Sequence, residues 1–155
     1  MATSRVLEVI DGLATVFDAA AALDGVTILK AWEILPEGEL EHVFVAWDGD
    51  PGNVEEASAE SVIEWPGLSP TSRTEDGTVE CAATVWTGDQ TATDATLTRV
   101  YAILGACEDA LRANPSLSSS IALQAKITNT ALRVEQSTQG FRATVPFTVS
   151  FMSSI

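Results

Sequence analysis

His42 is the sole imidazole in the chain, so any Ser-His-Asp relay would have to run through it. It follows Glu39 and Glu41 and opens a run of strand residues, which reads as a solvated histidine at a strand entry. Cys81 and Cys107 are the only thiols. They are too few for a disulfide scaffold, and with His42 they lack the spacing of a zinc site. Each falls on an apolar face, where a free cysteine behaves as a small buried hydrophobe. The strongest metal candidate is the stretch Asp48-Gly-Asp50-Pro-Gly-Asn53-Val-Glu55-Glu56. Calcium is held by clustered carboxylates on a flexible loop, but Asn53 stands sixth, where an EF-hand loop requires glycine. The stretch therefore reads as a solvated acidic loop, with calcium as the alternative. Adjacent carboxylates, Glu55/Glu56 and Glu75/Asp76, occur as expected in so acidic a chain. Acid–base catalysis needs such a pair in a cleft that perturbs it, and no cleft is legible. No P-loop and no dinucleotide-binding glycine pattern is present. The residues read as non-enzymatic, with no catalytic set, metal or cofactor.

The elements that would position these groups are clearer. Phe141, Ala143, Val145, Phe147, Val149 and Phe151 occupy every second place in residues 140–152, with Arg142, Thr144, Thr148 and Ser150 between them. Successive side chains of a strand point to opposite faces, so this segment has one apolar and one mostly wet face. Pro146 cannot donate a ladder hydrogen bond, which places the strand at a sheet edge or puts a bulge there.

Ser4 or Thr3 caps a first helix, with Val6, Val9, Ile10, Leu13, Val16, Phe17 and Ala20 as its stripe and a stop at Asp24-Gly25. Residues 26–35 and 42–47 read as two strands joined in a hairpin through a Pro36–Gly38 turn. Residues 48–56 are a loop, 60–65 a short strand, and 66–76 a second, long loop. Residues 79–87 form a strand. A second helix starts at Thr91–Asp94 and ends before Asn114-Pro115, with Leu97, Val100, Tyr101, Leu104, Cys107 and Leu111 as its stripe. Residues 121–136 form a long strand whose apolar phase slips near Asn129, the mark of a bulge. Ser137 to Gly140 closes a hairpin to the final strand. The four tryptophans, Trp32, Trp47, Trp65 and Trp86, lie in or at the ends of strands, either packing the sheet or anchoring a subunit interface.

The order implies a single domain over residues 1–155 of the α+β class, a mainly antiparallel β-sheet with two amphipathic helices on one face. Hydrophobic residues make up 46% and charged residues 19%, a globular balance. The net charge of −14 repels phosphate and anionic lipid, which excludes a basic nucleic-acid footprint and disfavours membrane docking. No secretory leader or spanning apolar run is visible, so the reading is a soluble intracellular protein.

Taken in order, these pieces resemble the tail terminator (tail-completion) proteins of long-tailed bacteriophages. The likeness is carried by the early helix running into V-T-I-L-K-A-W-E-I-L and H-V-F-V-A-W-D-G-D. It continues in V-E-C-A-A-T-V-W-T-G-D-Q-T-A-T-D-A-T-L-T-R-V-Y-A-I-L-G-A-C-E-D-A-L-R-A-N-P-S-L, and in the closing pair E-Q-S-T-Q-G-F-R-A-T-V-P-F-T-V-S-F. The resemblance implies a tail-terminator-like fold and a structural role: a six-fold ring of identical subunits that caps a finished tail tube, stops its growth and meets the head connector. It implies no cofactor and no catalytic residues. It implies the tail tube protein and the head–tail connector or stopper as partners, and localisation to the host cytoplasm during assembly and then to the virion neck. DNA would pass through without specific binding, helped by an acidic bore. The alternative in the same class is another neck protein, a stopper or adaptor; a small calcium-binding module is the alternative outside it. The two long loops, with Asp48, Asp50, Glu55, Glu56, Arg73, Glu75 and Asp76, are expected at the axial contacts, and the Pro146 strand at a subunit boundary.

Overall fold

A computed structural model describes residues 3–47, 49, 57–67, 72–117 and 121–155. Helix α1 spans Val6–Ala19, followed by a short 3-10 turn, Ala21–Leu23. The strands are β1 (Thr27–Lys30), β2 (Glu41–Val45), β3 (Ala59–Glu64), β4 (Thr74–Thr87), β5 (Gln124–Thr130), β6 (Arg133–Ser137) and β7 (Gly140–Ser154). Helix α2, Thr93–Ala113, lies between β4 and β5 in sequence. The fold is α+β: the described residues form two α-helices and one seven-stranded, mainly antiparallel sheet.

Two long strands, β4 and β7, pair antiparallel from Thr74↔Ser154 to Thr87↔Phe141 and form the spine of the sheet. Shorter strands lie end to end along each margin. On the β4 side, β3 pairs residues 74–79 and β2 pairs 81–85, with β1 outside β2. On the β7 side, β5 pairs residues 147–152 and β6 pairs 140–144. The β7 alternation is met at every position: Phe141, Ala143, Val145, Phe147, Val149 and Phe151 are buried, and the residues between them are half-buried or exposed.

Both helices cover this apolar face. Helix α1 contributes Val9, Ile10, Leu13, Val16 and Phe17; helix α2 contributes Val100, Ile103, Leu104, Cys107, Ala110 and Leu111. The α2 stripe differs from expectation: Thr96 and Ala110, absent from the expected set, are buried. Ile103 is buried, and Tyr101 sits on the flank of the 3.6-residue stripe and is exposed. Phe17 meets Phe147 edge-to-face at 6.4 Å between ring centres, tying α1 to the spine. The helix ends follow local chemistry. The Ser4 hydroxyl oxygen accepts the Val6 N–H at 3.1 Å, and Asn114 closes α2 before Pro115. The expected box at the start of α2 does not form: Asp89 Oδ1 instead accepts the N–H and hydroxyl of Thr91, making a turn ahead of the helix.

Three strand expectations are corrected. Residues 26–35 and 42–47 do not make a hairpin: β1 stops at Lys30 and runs parallel to β2, Thr27 beside His42 and Lys30 beside Val45. The Pro36–Gly38 turn forms, with Gly38 at φ +88°, but within a connector, residues 31–40, that carries the chain back for a parallel pairing. Residues 121–136 are two strands. The bulge expected near Asn129 is present, because Ile127 faces Val149 while Asn129 faces Thr148, and the strand then breaks at Ala131 and Leu132.

That break also explains Pro146, whose strand is central rather than at an edge. The Pro146 carbonyl accepts the Ala131 N–H at 2.9 Å, so the side of Pro146 that lacks a donor faces the gap between β5 and β6. No ladder bond is lost there, which is how a central strand tolerates proline.

Cys81 and Cys107 are buried and free. Burial pushes the Cys107 thiol up to about 12 and Cys81 higher still, so neither forms thiolate near neutrality. A thiol-reactive dye is expected to label neither in native protein at pH 7.5 and both after denaturation; prompt native labelling would contradict this burial.

Candidate functional site

Among the described residues, no helix covers the second face of the sheet. Here β2 presents His42 and Phe44, β4 presents Ala82 and Thr84, β7 presents Arg142 and Thr144, and β6 presents Arg133 and Glu135. Ala46, in the left-handed region at φ +63°, shifts the alternation after β2, so Ala46 joins the core and Trp47 turns onto the open face. With the connector residues Ala31 and Leu35, these side chains wall a trough of about 370 Å³.

His42 corrects the expectation of a solvated imidazole. It is only 8% exposed, its ring lies edge-on to Phe44 at 4.8 Å, and its Nδ1 is buried without a hydrogen-bond partner. Burial, followed by the Arg142 charge, pulls its pKa below the usual histidine value against the opposing pull of Glu39. His42 is therefore neutral at pH 7. Arg142 lies 3.6 Å from Glu135, and the Arg133 guanidinium stacks over Trp47 at 5.3 Å. The Thr84 and Thr144 hydroxyls meet at 3.3 Å on the floor. The trough combines guanidinium groups, hydroxyls and an unsatisfied imidazole nitrogen between aromatic walls, a set suited to holding an anion in a partly dry setting.

Of the residues expected at axial contacts, Arg73, Glu75 and Asp76 are described. Asp48, Asp50, Glu55 and Glu56, and with them the calcium alternative, lie outside the described residues. Arg73 packs its guanidinium over Trp65 at 4.9 Å. Glu75 and Asp76 are not in a loop, because β4 begins at Thr74. Asp76 is exposed on the open face, whereas Glu75 points into the core and is 0% exposed. Its Oε1 accepts the Ser4 hydroxyl at 2.5 Å and its Oε2 accepts the Arg5 N–H at 2.7 Å, at the entry to α1. Burial raises the Glu75 pKa, but hydrogen bonds from Ser4, Arg5 and Ser61 and the Arg73 charge outweigh it and hold the carboxyl below its ordinary value. Glu75 is thus a structural anion at a helix N-terminus rather than a surface contact.

Among the described residues no three His, Cys, Asp or Glu side chains cluster to hold a metal. Nor, among them, is any helix long and apolar enough to cross a membrane. Of the tryptophans, Trp47 and Trp86 are half-buried, while Trp32 and Trp65 are 61% and 55% exposed. The trough residues escaped sequence reading because the connector and four strands supply them, and only the fold brings them together. No protein-family model matches the chain, and a search of curated proteins returns no match.

Proposed function

We propose that this chain is a structural subunit of a phage tail terminator: copies close into a ring, taken as six-fold, on the end of the tail tube. The ring stops tube growth and presents a face to the head connector. The subunit acts first in the host cytoplasm and then in the virion neck. The observation that carries the reading is apolar surface the single chain leaves uncovered. Ile34 is 92% exposed, beside Trp32 in the connector, and Val62, Trp65, Leu132 and Val134 are exposed along both margins of the sheet. Large apolar side chains grouped in this way mark protein–protein contact. The sequence resemblance to tail terminators supports the same reading, and the ring needs no cofactor and no reactive centre.

Deleting the gene from its phage is expected to give tubes of uncontrolled length and heads without tails. Normal-length tails joined to heads would overturn the proposal. The segment before β4 is proposed to touch the tube or the connector. Shortening residues 66–72 is expected to leave ring size unchanged by native mass measurement while lowering docking on purified tubes at least tenfold; undiminished docking would remove the segment from that role.

A further inference from the structure

We propose that copies of this chain join head to tail through two sheet margins, the β5 edge of one subunit pairing antiparallel with the β3 edge of the next; this seam deepens the ring reading above and rests on it. Among the described residues no further strand lies outside either margin. Each edge therefore presents a row of backbone N–H and C=O groups that an added strand can pair. Strand polarity selects the partner. β3 is antiparallel to β4, β4 to β7 and β7 to β5, so β3 and β5 run in opposite directions. A neighbour in the same orientation, as rotation about a ring axis alongside the strands requires, brings its β3 against β5 antiparallel. The two edges match in length, six residues against seven.

The side chains select the same pairing. One row on the open face crosses the sheet from margin to margin through Lys126, Ser150, Thr78 and Glu60. Lys126 and Glu60 are both exposed, and Asp76, on the same face, lies two strands inward from Lys126. A second copy that continues the rows without a shift sets its Glu60 directly opposite Lys126, where opposite charges stabilise a strand pair. The helix-bearing face agrees. Leu123, one step before the Gln124↔Met152 pair, begins a row that continues through Ser153 and Glu75 to Ile63. The same register therefore lays Leu123, 62% exposed, against the half-buried Ile63 of the next copy. Two-fold pairings are disfavoured by the same charges. β3 against itself gathers Glu60 and Glu64 of both copies, and β5 against itself gathers two Lys126 side chains.

Sedimentation velocity from micromolar to millimolar subunit tests the seam. The wild type is expected to assemble, more weakly as salt rises. Lys126→Glu and Glu60→Lys are each expected to raise the midpoint concentration at least tenfold at an unchanged melting temperature, since both positions are exposed. An equimolar mixture of the two variants is expected to assemble near the wild-type midpoint, because each edge then meets its opposite charge. Should either variant fail to fold, Lys126→Gln and Glu60→Gln serve, with a smaller loss and a flatter salt dependence. Wild-type midpoints in both single variants overturn the seam, and so does a charge-reversed mixture that assembles no better than its components. Stronger association of Lys126→Glu alone also overturns it and assigns β5 to a two-fold pairing. A wild type that stays monomeric at millimolar concentration overturns the seam alone, since tube length in the deletion phage judges the terminator reading separately.

Discussion

Glu75→Ala is expected to lower the stability of the fold by about 3–5 kcal/mol, the usual cost of removing one partner of a buried charged network. In a domain of this size that corresponds to a melting-temperature drop on the order of 10 °C. The reason lies in what the side chain leaves behind: the Ser4 hydroxyl and the Arg5 N–H lose their acceptor, and a cavity opens beneath the start of α1. Glu75→Gln keeps the volume but loses the negative charge at the helix N-terminus, and is expected to cost about 1–2 kcal/mol. The pH dependence separates the two contributions. The folded pKa of Glu75 lies below its unfolded value, so its contribution is complete above the unfolded pKa, about 4.3, and is lost as pH falls through the folded pKa. Urea midpoints measured from pH 7 down to pH 3 are expected to fall more steeply for wild type than for Glu75→Gln. Parallel slopes would show that Glu75 is not the anion described here.

Gly140→Ala is expected to be comparably damaging, at about 3 kcal/mol or more. Gly140 opens β7 opposite Ser137 at φ +153°, a conformation that side-chain-bearing residues rarely adopt. A Cβ there would lie 2.0 Å from the Thr87 carbonyl oxygen and 3.0 Å from Gly88 Cα. Both are backbone atoms at the end of the β4–β7 ladder, so relief requires the β6–β7 turn to shift against the spine. Gly25→Ala supplies the comparison. Gly25 is at φ +82° with nothing within 4 Å of its added Cβ, so it isolates conformational strain at about 1 kcal/mol. Equal losses at the two positions, measured by urea unfolding, would refute the steric contribution at Gly140.

Glu75 also shows where sequence reasoning stopped short. Residues 75, 77, 79, 81, 83 and 85 share one strand phase, and all but the first two are apolar. Extending that phase two steps back would have placed Glu75 on the core face. The stretch 66–76, rich in Pro, Ser and Thr and ending in the acidic pair, read as a loop instead. Gly77 is there because a Cβ would strike the Glu60 carbonyl at 2.5 Å and the Phe151 ring at 2.6 Å, a close approach between strands that single-sequence reading takes for a breaker. The β7 alternation, the slip near Asn129 and both helices were legible because each rests on local periodicity. The parallel β1–β2 pairing was not, because residues 32–35 continue an apolar run that the fold leaves in an exposed connector. The trough was invisible for a different reason. His42, Thr84, Arg133 and Arg142 are unremarkable in their own segments, and meaning comes only from the register that sets them side by side.

The division of each sheet margin into short strands has a consequence for crowded assembly. The outermost ladders are β1 with four residues, β3 with six, β5 with seven and β6 with five. Around the handover at Pro146 the outer strand breaks, so a stray polypeptide could not zip along the full length of the spine. The described margins therefore offer no long, unbroken template for runaway cross-β growth.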